Sequence, residues 1–236
     1  MLQRRHIPNA ITITRLVLTA ACIVCLSFVD FATQTIQPWL TLGLIAFIVA
    51  ALTDWLDGYL ARRWDVVSRF GRVMDPLADK VLVLGTFIVL AGPGWTAHAL
   101  MVSEPQLING EVHPPEYAIG GVVASGVQPW MVVVMLTREL LVTGLRSAME
   151  SGGTAFGAVT LGKLKMVLQS IAIPCALVSA ALIDDPGDFH WLISFNAVLL
   201  YLTVAVTVLS AWPYVAAAVR ASTRHNPEPP KVTPDG

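Results

Sequence analysis

Charge is what this 236-residue chain has least of. Only 13% of its residues are Asp, Glu, Lys or Arg, about half of the roughly 25% usual in a soluble globular domain. With 55% hydrophobic residues and a mean hydropathy of +0.67, composition excludes an ordinary soluble domain and points to a membrane protein. The net charge is -1, and no nucleic-acid partner is expected. Cysteine is scarce too. Cys22, Cys25 and Cys175 all sit in apolar runs, so no disulfide framework is available. Cys22 and Cys25 form a CxxC without a second pair or a nearby histidine, which leaves them as packing residues rather than zinc ligands. The histidines (His6, His98, His113, His190 and His225) stand apart from every motif and carry no assigned chemistry. No internal repeat is visible.

What is present is a series of apolar segments. Arg4 and Arg5 precede the first, but Arg15 interrupts it and no small-residue cleavage site closes it. It therefore reads as a retained helix rather than a signal peptide. Ile7-Pro8-Asn9 followed by Thr12 is its start. The second segment covers 39–62. Its purely apolar part, 39–51, falls short of the ~20 residues a bilayer requires, so the span must include Asp54 and Asp57. The third covers 72–91, ended by Gly92-Pro93-Gly94. A Gly- and Pro-rich stretch, 95–128, reads as an exposed loop with a short re-entrant piece at 118–127. Segments four to six cover 129–149, 161–183 and 191–218, and a Pro-rich tail reads as disordered.

The expected architecture is thus an all-α integral membrane protein of six transmembrane helices. It forms one domain over 1–220, with 95–128 as an extracytoplasmic loop insertion and 221–236 as a cytoplasmic tail. All 15 Lys and Arg lie at the N-terminus, around the 2–3 connection, in helix 4, around the 4–5 connection or at the C-terminal end. The opposite loops hold only acids such as Asp30, Glu104, Asp184, Asp185 and Asp188. The positive-inside rule then places both termini in the cytoplasm.

The stretch 53–80 carries the chemistry. Asp54 and Asp57 are three apart, and Gly58 and Ala61 continue the same helical stripe. Gly71, Asp75 and Asp79 recur every four residues, again on one helix face. Two such helices meeting across a polar turn would direct four carboxylates into one cleft. At neutral pH that is strongly repulsive unless divalent cations lie between them. Ionisable groups at such depth are costly and usually functional. A salt-bridge network with Arg62, Arg63, Arg69 and Arg72 is the bland alternative, and Gly58 and Gly71 also suit close helix packing.

The spacing Asp54-x2-Asp57-Gly58-x2-Ala61-Arg62-x8-Gly71-x3-Asp75-x3-Asp79 resembles, position for position, the signature of the CDP-alcohol phosphotransferases. Further matches extend along most of the chain up to the fifth helix. They are Pro8-Asn9-Ala10-Ile11-Thr12 with Arg15, Asp75-Pro76-x-Ala78-Asp79-Lys80, Arg138-Glu139, Arg146 and Gly162-Lys163-x-Lys165. These look like the bacterial phosphatidylglycerophosphate synthase branch of that family, although 95–128 is longer than usual there.

The resemblance implies phosphatidyl transfer from CDP-diacylglycerol to sn-glycerol 3-phosphate, giving phosphatidylglycerophosphate and CMP. It further implies a homodimer in the bacterial inner membrane, among membrane lipids, and the positive-inside orientation has its active site facing the cytoplasm. Two Mg²⁺ or Mn²⁺ ions per site would be held by Asp54, Asp57, Asp75 and Asp79, with Asp79 also the general base. Asp57, Gly58, Ala61, Arg62 and Gly71 would bind the CDP-lipid. Arg138, Arg146, Lys163 and Lys165 would bind the acceptor's phosphate, and Asn9, Thr12 and Arg15 would lie on the substrate side.

Each assignment has a rival. Arg146, Lys163 and Lys165 also fit as positive-inside anchors, and Asn9, Thr12 and Arg15 as a helix cap and interfacial anchor. Arg63, Arg69, Arg72 and Lys80 read as topology and headgroup charges. Arg138 lies about 8 residues, roughly 12 Å of helix, inside the fourth segment, where a guanidinium needs a partner. Glu139 is the nearest acid, though adjacent helical positions point about 100° apart. The same chemistry with phosphatidylglycerol (a cardiolipin synthase) or an inositol phosphate is the nearest functional alternative. A divalent-cation transporter is the non-enzyme alternative, and would spread its acids on both sides of the midplane.

Overall fold

A computed structural model describes residues 6–31, 36–64, 69–97, 106–108, 111–113, 122–151, 160–182 and 190–224, with the side chains of 6–11, 37, 54–64, 69–73, 75, 76, 97, 106–108, 111–113, 122, 151, 190 and 221–224 outside that description. The chain is helical. Its long helices are α1 (His6–Ser27), α2 (Gln37–Trp64), α3 (Arg69–Leu90), α4 (Pro129–Ser151), α5 (Thr160–Ala181) and α6 (His190–Leu209), followed by a shorter α7 (Trp212–Arg224). Helix α1 packs on α2 and α3, α5 packs on α6 and α2, and α4 lies against α6, α7 and α3.

The shared core is built from Cys22, Leu26, Phe47, Phe87, Met131, Met135, Ile173, Leu177 and Leu200. Gly43 makes the α1–α2 contact close, since a Cβ there would sit 2.3 Å from Leu26 Cδ2. Cys22 is buried against the Gly43 carbonyl and Thr86, a packing role as expected from its apolar setting.

The outside of the bundle is apolar as well. Val17, Leu42, Leu52, Ile88, Val133, Leu140, Ile171 and Val198 are large hydrophobic side chains exposed along α1 to α6. Hydroxyls in these helices turn inward on their own backbone. Ser27, Thr53, Thr86, Thr203 and Thr207 each donate to the carbonyl four residues back, and Ser210 to the one three back. Such bonds hide polar groups where no water is available. Among the described residues, Thr160–Ala181 and Trp191–Arg220 are helical stretches long and apolar enough to cross a membrane, with Thr12–Ser27 and Pro38–Thr53 as shorter apolar ones.

Three sequence expectations change. The sixth segment is two helices, not one. Pro213 has no N–H for the Leu209 carbonyl, and its ring crowds that carbonyl. Helix α6 accordingly ends at Leu209, and Tyr214 N–H bonds the Ala211 carbonyl at 3.0 Å. Continuous hydropathy concealed the break. The tail starts later than expected, because α7 continues to Arg224.

The 95–128 stretch is not simply an exposed loop. Trp95 is buried in a 3-10 turn (Pro93–Trp95), and β1 (Thr96–Ala97) pairs antiparallel with β4 (Val122–Val123). Ala124, Ser125 and Val127 are buried, held by Ser125 Oγ donating to the Leu90 carbonyl and Asn196 Nδ2 donating to the Ser125 carbonyl. Both ends of the insertion are thus pinned to the core, and β4 and the turn after it occupy 122–125 where a re-entrant piece was expected. Residues 114–121 lie outside the described residues. Between the pinned ends, β2 (Gln106–Ile108) and β3 (Glu111–His113) pair with Ile108 opposite Glu111. The two residues between them in sequence are Asn109-Gly110, a dipeptide favoured in two-residue hairpins.

Candidate active site

The four aspartates fall on two continuous helices. Asp54 and Asp57, with Gly58, Ala61 and Arg62, are in the second half of α2, and Gly71, Asp75 and Asp79 are in the first half of α3. The helical register expected from their three- and four-residue spacings is therefore present in the backbone. The side chains of all but Asp79 lie outside the described residues, as do those of Arg63, Arg69 and Arg72. Asp79 is half-buried, and among the described residues Arg15, Lys165, Glu139 and Lys80 are the charged groups that act on its carboxyl.

Arg15 comes from α1 and is 2% exposed, with Thr12 buried one turn before it. Burial beside Asp79 is incompatible with an interfacial anchor, so for Arg15 that reading fails. Asn9 lies in the first turns of α1, with its side chain outside the described residues.

Beside these helices is a cavity of about 440 Å³ between α3, α4, α5 and α7. Its wall includes all four residues expected to bind the acceptor's phosphate: Arg138 and Arg146 from α4, and Lys163 and Lys165 from α5. Lys80 joins them, donating to Thr143 Oγ1 at 2.9 Å, so it belongs to the cavity rather than only to the topology signal. Five cationic side chains face two carboxylates, Glu139 and Glu150, a net of three positive charges.

The cations are held differently. Arg146 Nε pairs with Glu150 Oε1 at 2.7 Å, with both side chains about half exposed. Arg138 and Glu139 are buried and joined at 2.9 Å through Nη1 and Oε1. Adjacent positions do meet here, because both side chains are long enough to curl together. Lys165 Nζ bonds the same Glu139 oxygen from α5. At 6% exposed, Lys165 is buried in the cavity wall rather than set at the surface as a simple positive-inside anchor would be. Arg138 Nη2 also donates to the Ser210 carbonyl at 3.2 Å, at the break between α6 and α7. Glu139 as the hub, and the Ser210 carbonyl as a partner, were missed from the sequence. Pro213 was the available signal for the second.

Four carboxylates, two on α2 and two on α3, are hard oxygen donors of the kind that suit divalent cations such as Mg²⁺. Among the described residues no cluster of three or more His, Cys, Asp or Glu is assembled; three of the four aspartate side chains lie outside them.

The profile of the CDP-alcohol phosphatidyltransferase family matches residues 5–209, and the chain belongs to that family. Its members are membrane enzymes. Among curated proteins it is 33% identical to the CDP-diacylglycerol--glycerol-3-phosphate 3-phosphatidyltransferase of Bacillus subtilis over 218 residues, covering 89% of this chain and 93% of the relative. It is 31% identical to the Cereibacter sphaeroides protein of the same name, covering 75% and 65% of the two chains. The Salmonella choleraesuis protein of that name is 28% identical, covering 90% and 94%.

Proposed function

We propose that the chain transfers the phosphatidyl group of CDP-diacylglycerol to sn-glycerol 3-phosphate, releasing CMP and phosphatidylglycerophosphate. The observation that carries the choice of acceptor is the cavity in which Lys80, Arg138, Arg146, Lys163 and Lys165 converge. A phosphorylated acceptor needs that net positive charge, and a free polyol or choline does not. The relatives' shared name agrees with this reading.

In the mechanism we favour, Asp54, Asp57, Asp75 and Asp79 would hold two divalent cations. When bound, these neutralise the pyrophosphate and stabilise departing CMP. Asp79 takes the proton from the attacking glycerol 3-phosphate hydroxyl. Its place beside Arg15, Lys80 and Lys165 keeps it within the field of the phosphate-binding groups. The hydroxyl oxygen bonds to the phosphorus that carries diacylglycerol, and the bond from that phosphorus to the CMP oxygen breaks. No covalent enzyme intermediate is required, since the signature offers no Ser, Cys or His nucleophile. Gly58, Ala61 and Gly71 leave room for the nucleotide, and Arg62 meets the pyrophosphate. Asn9 and Thr12 lie on the substrate side with Arg15.

The apolar outer faces of α1 to α6 support six spans in a bacterial inner membrane, and the distribution of Lys and Arg along the sequence supports cytoplasmic termini with the acidic cleft open to the cytoplasm. The resemblance adds a homodimer. Purified protein supplied with CDP-diacylglycerol, Mg²⁺ and glycerol 3-phosphate is expected to form phosphatidylglycerophosphate and equimolar CMP. Absence of CMP with every alcohol acceptor would remove the whole reaction class.

A further inference from the structure

We infer that Glu139 is the positioning residue of the anion site in this cavity: it aligns Arg138 and Lys165 in the wall, and its charge limits how tightly the site holds an anion. Three observations carry this. Glu139 is buried and accepts hydrogen bonds from both cations, one from its own helix and one from α5. Those two cations line the same cavity as Lys163, which has no ion-pair partner among the described residues. Finally, Arg138 is 9% exposed and its Nε has no hydrogen-bond partner among the described residues, although Nη1 and Nη2 are both engaged. This arginine is held at two nitrogens, and the third is a buried donor whose hydrogen-bonding capacity is unused among the described residues.

A buried carboxylate between two cations does two opposed things. It fixes long, rotamer-rich side chains in one geometry, which a flexible pair of cations would not keep. It also cancels part of their field. Because Glu139 is buried, this cancellation is screened by solvent much less than that of exposed Glu150 on Arg146. The site thereby binds a phosphomonoester firmly enough to orient it and weakly enough to release a phosphorylated product. The substrate named here rests on the acceptor reading above; the anion chemistry does not.

The test uses inorganic phosphate as probe and the purified full chain in detergent. Glu139→Gln keeps the shape and removes the charge. Its dissociation constant for phosphate, read from phosphate-dependent thermal stabilisation, should fall by roughly fivefold or more. Turnover with glycerol 3-phosphate should fall while its KM does not rise, since the anion is held but Lys165 is no longer aligned. Phosphate affinity unchanged or weakened in Glu139→Gln would overturn the inference.

Should that variant not fold, the same comparison is made in a background lacking one cation. Glu139→Gln/Lys165→Met should bind phosphate more tightly than Lys165→Met alone, and equal or weaker binding overturns the inference. A wild-type protein that releases no CMP with glycerol 3-phosphate, yet shows the expected phosphate series, would defeat the acceptor reading and leave the role of Glu139 standing.

Discussion

Arg138 and Ser210 are 72 residues apart in the chain and joined by a 3.2 Å hydrogen bond, from a guanidinium in α4 to a main-chain carbonyl at the end of α6. In an unbroken helix that carbonyl would accept from Tyr214 N–H. Pro213 prevents the continuation, Tyr214 N–H goes to Ala211, and the Ser210 carbonyl is left for Arg138. A helix break thus supplies a polar partner to a buried cation where water is excluded.

Pro213→Ala tests this linkage. The substitution allows α6 to run on and Tyr214 N–H to reclaim the Ser210 carbonyl. Losing a hydrogen bond to a charged group costs about 1.5–3 kcal/mol. If that loss falls on acceptor binding, the KM for glycerol 3-phosphate should rise about tenfold, with the KM for CDP-diacylglycerol unchanged. Steady-state kinetics in mixed micelles measure both, and an equal effect on the two constants would contradict the assignment of Arg138 to the acceptor.

Gly43→Val should loosen the α1–α2 pair. Even a Cβ meets Leu26 Cδ2 at 2.3 Å and Cγ at 2.6 Å, and Leu26 is fully buried. Overpacking of this kind costs about 1–3 kcal/mol. Thermal unfolding in detergent should show a lower midpoint. The double variant Leu26→Ala/Gly43→Val should recover part of the loss, because the smaller partner vacates the space.

The helices and the acidic stripes were legible in the sequence because they depend on local period: 3.6-residue spacing places Asp54 with Asp57 and Asp75 with Asp79 whatever the tertiary packing. The basic set, Arg138, Arg146, Lys163 and Lys165, was also legible, and the structure gathers it in one cavity. The hub was not. Helical geometry points Arg138 and Glu139 apart, and only the reach of long side chains and the arrival of Lys165 from α5 bring three charges together. Trp95 and Ser125 were hidden by their Gly- and Pro-rich neighbours, whose composition indicates a loop even where tertiary contacts bury it. The α6–α7 break was written in Pro213 but masked by uninterrupted hydropathy.

Removal of divalent cations with a chelator should abolish CMP release, and added Mg²⁺ or Mn²⁺ should restore it. Asp79→Asn should lower turnover by about 10²-fold or more, the usual size of a general-base contribution, while CDP-diacylglycerol still binds. Near-normal turnover in Asp79→Asn, measured by CMP release, would assign the base to another group.

Lys163→Ala and Arg146→Ala should separate. Lys163 has no acid partner among the described residues, whereas Arg146 is already partly neutralised by Glu150. Lys163→Ala is therefore expected to raise the acceptor KM by roughly fivefold to tenfold, and Arg146→Ala by less. Both effects should shrink as ionic strength rises, because the two side chains are exposed.

The most direct measurement is CMP release by the purified protein with CDP-diacylglycerol, Mg²⁺ and a panel of acceptors: glycerol 3-phosphate, glycerol, phosphatidylglycerol, an inositol phosphate and choline. The account predicts release with glycerol 3-phosphate and none above background with the others. Release with another acceptor and not with glycerol 3-phosphate would contradict it.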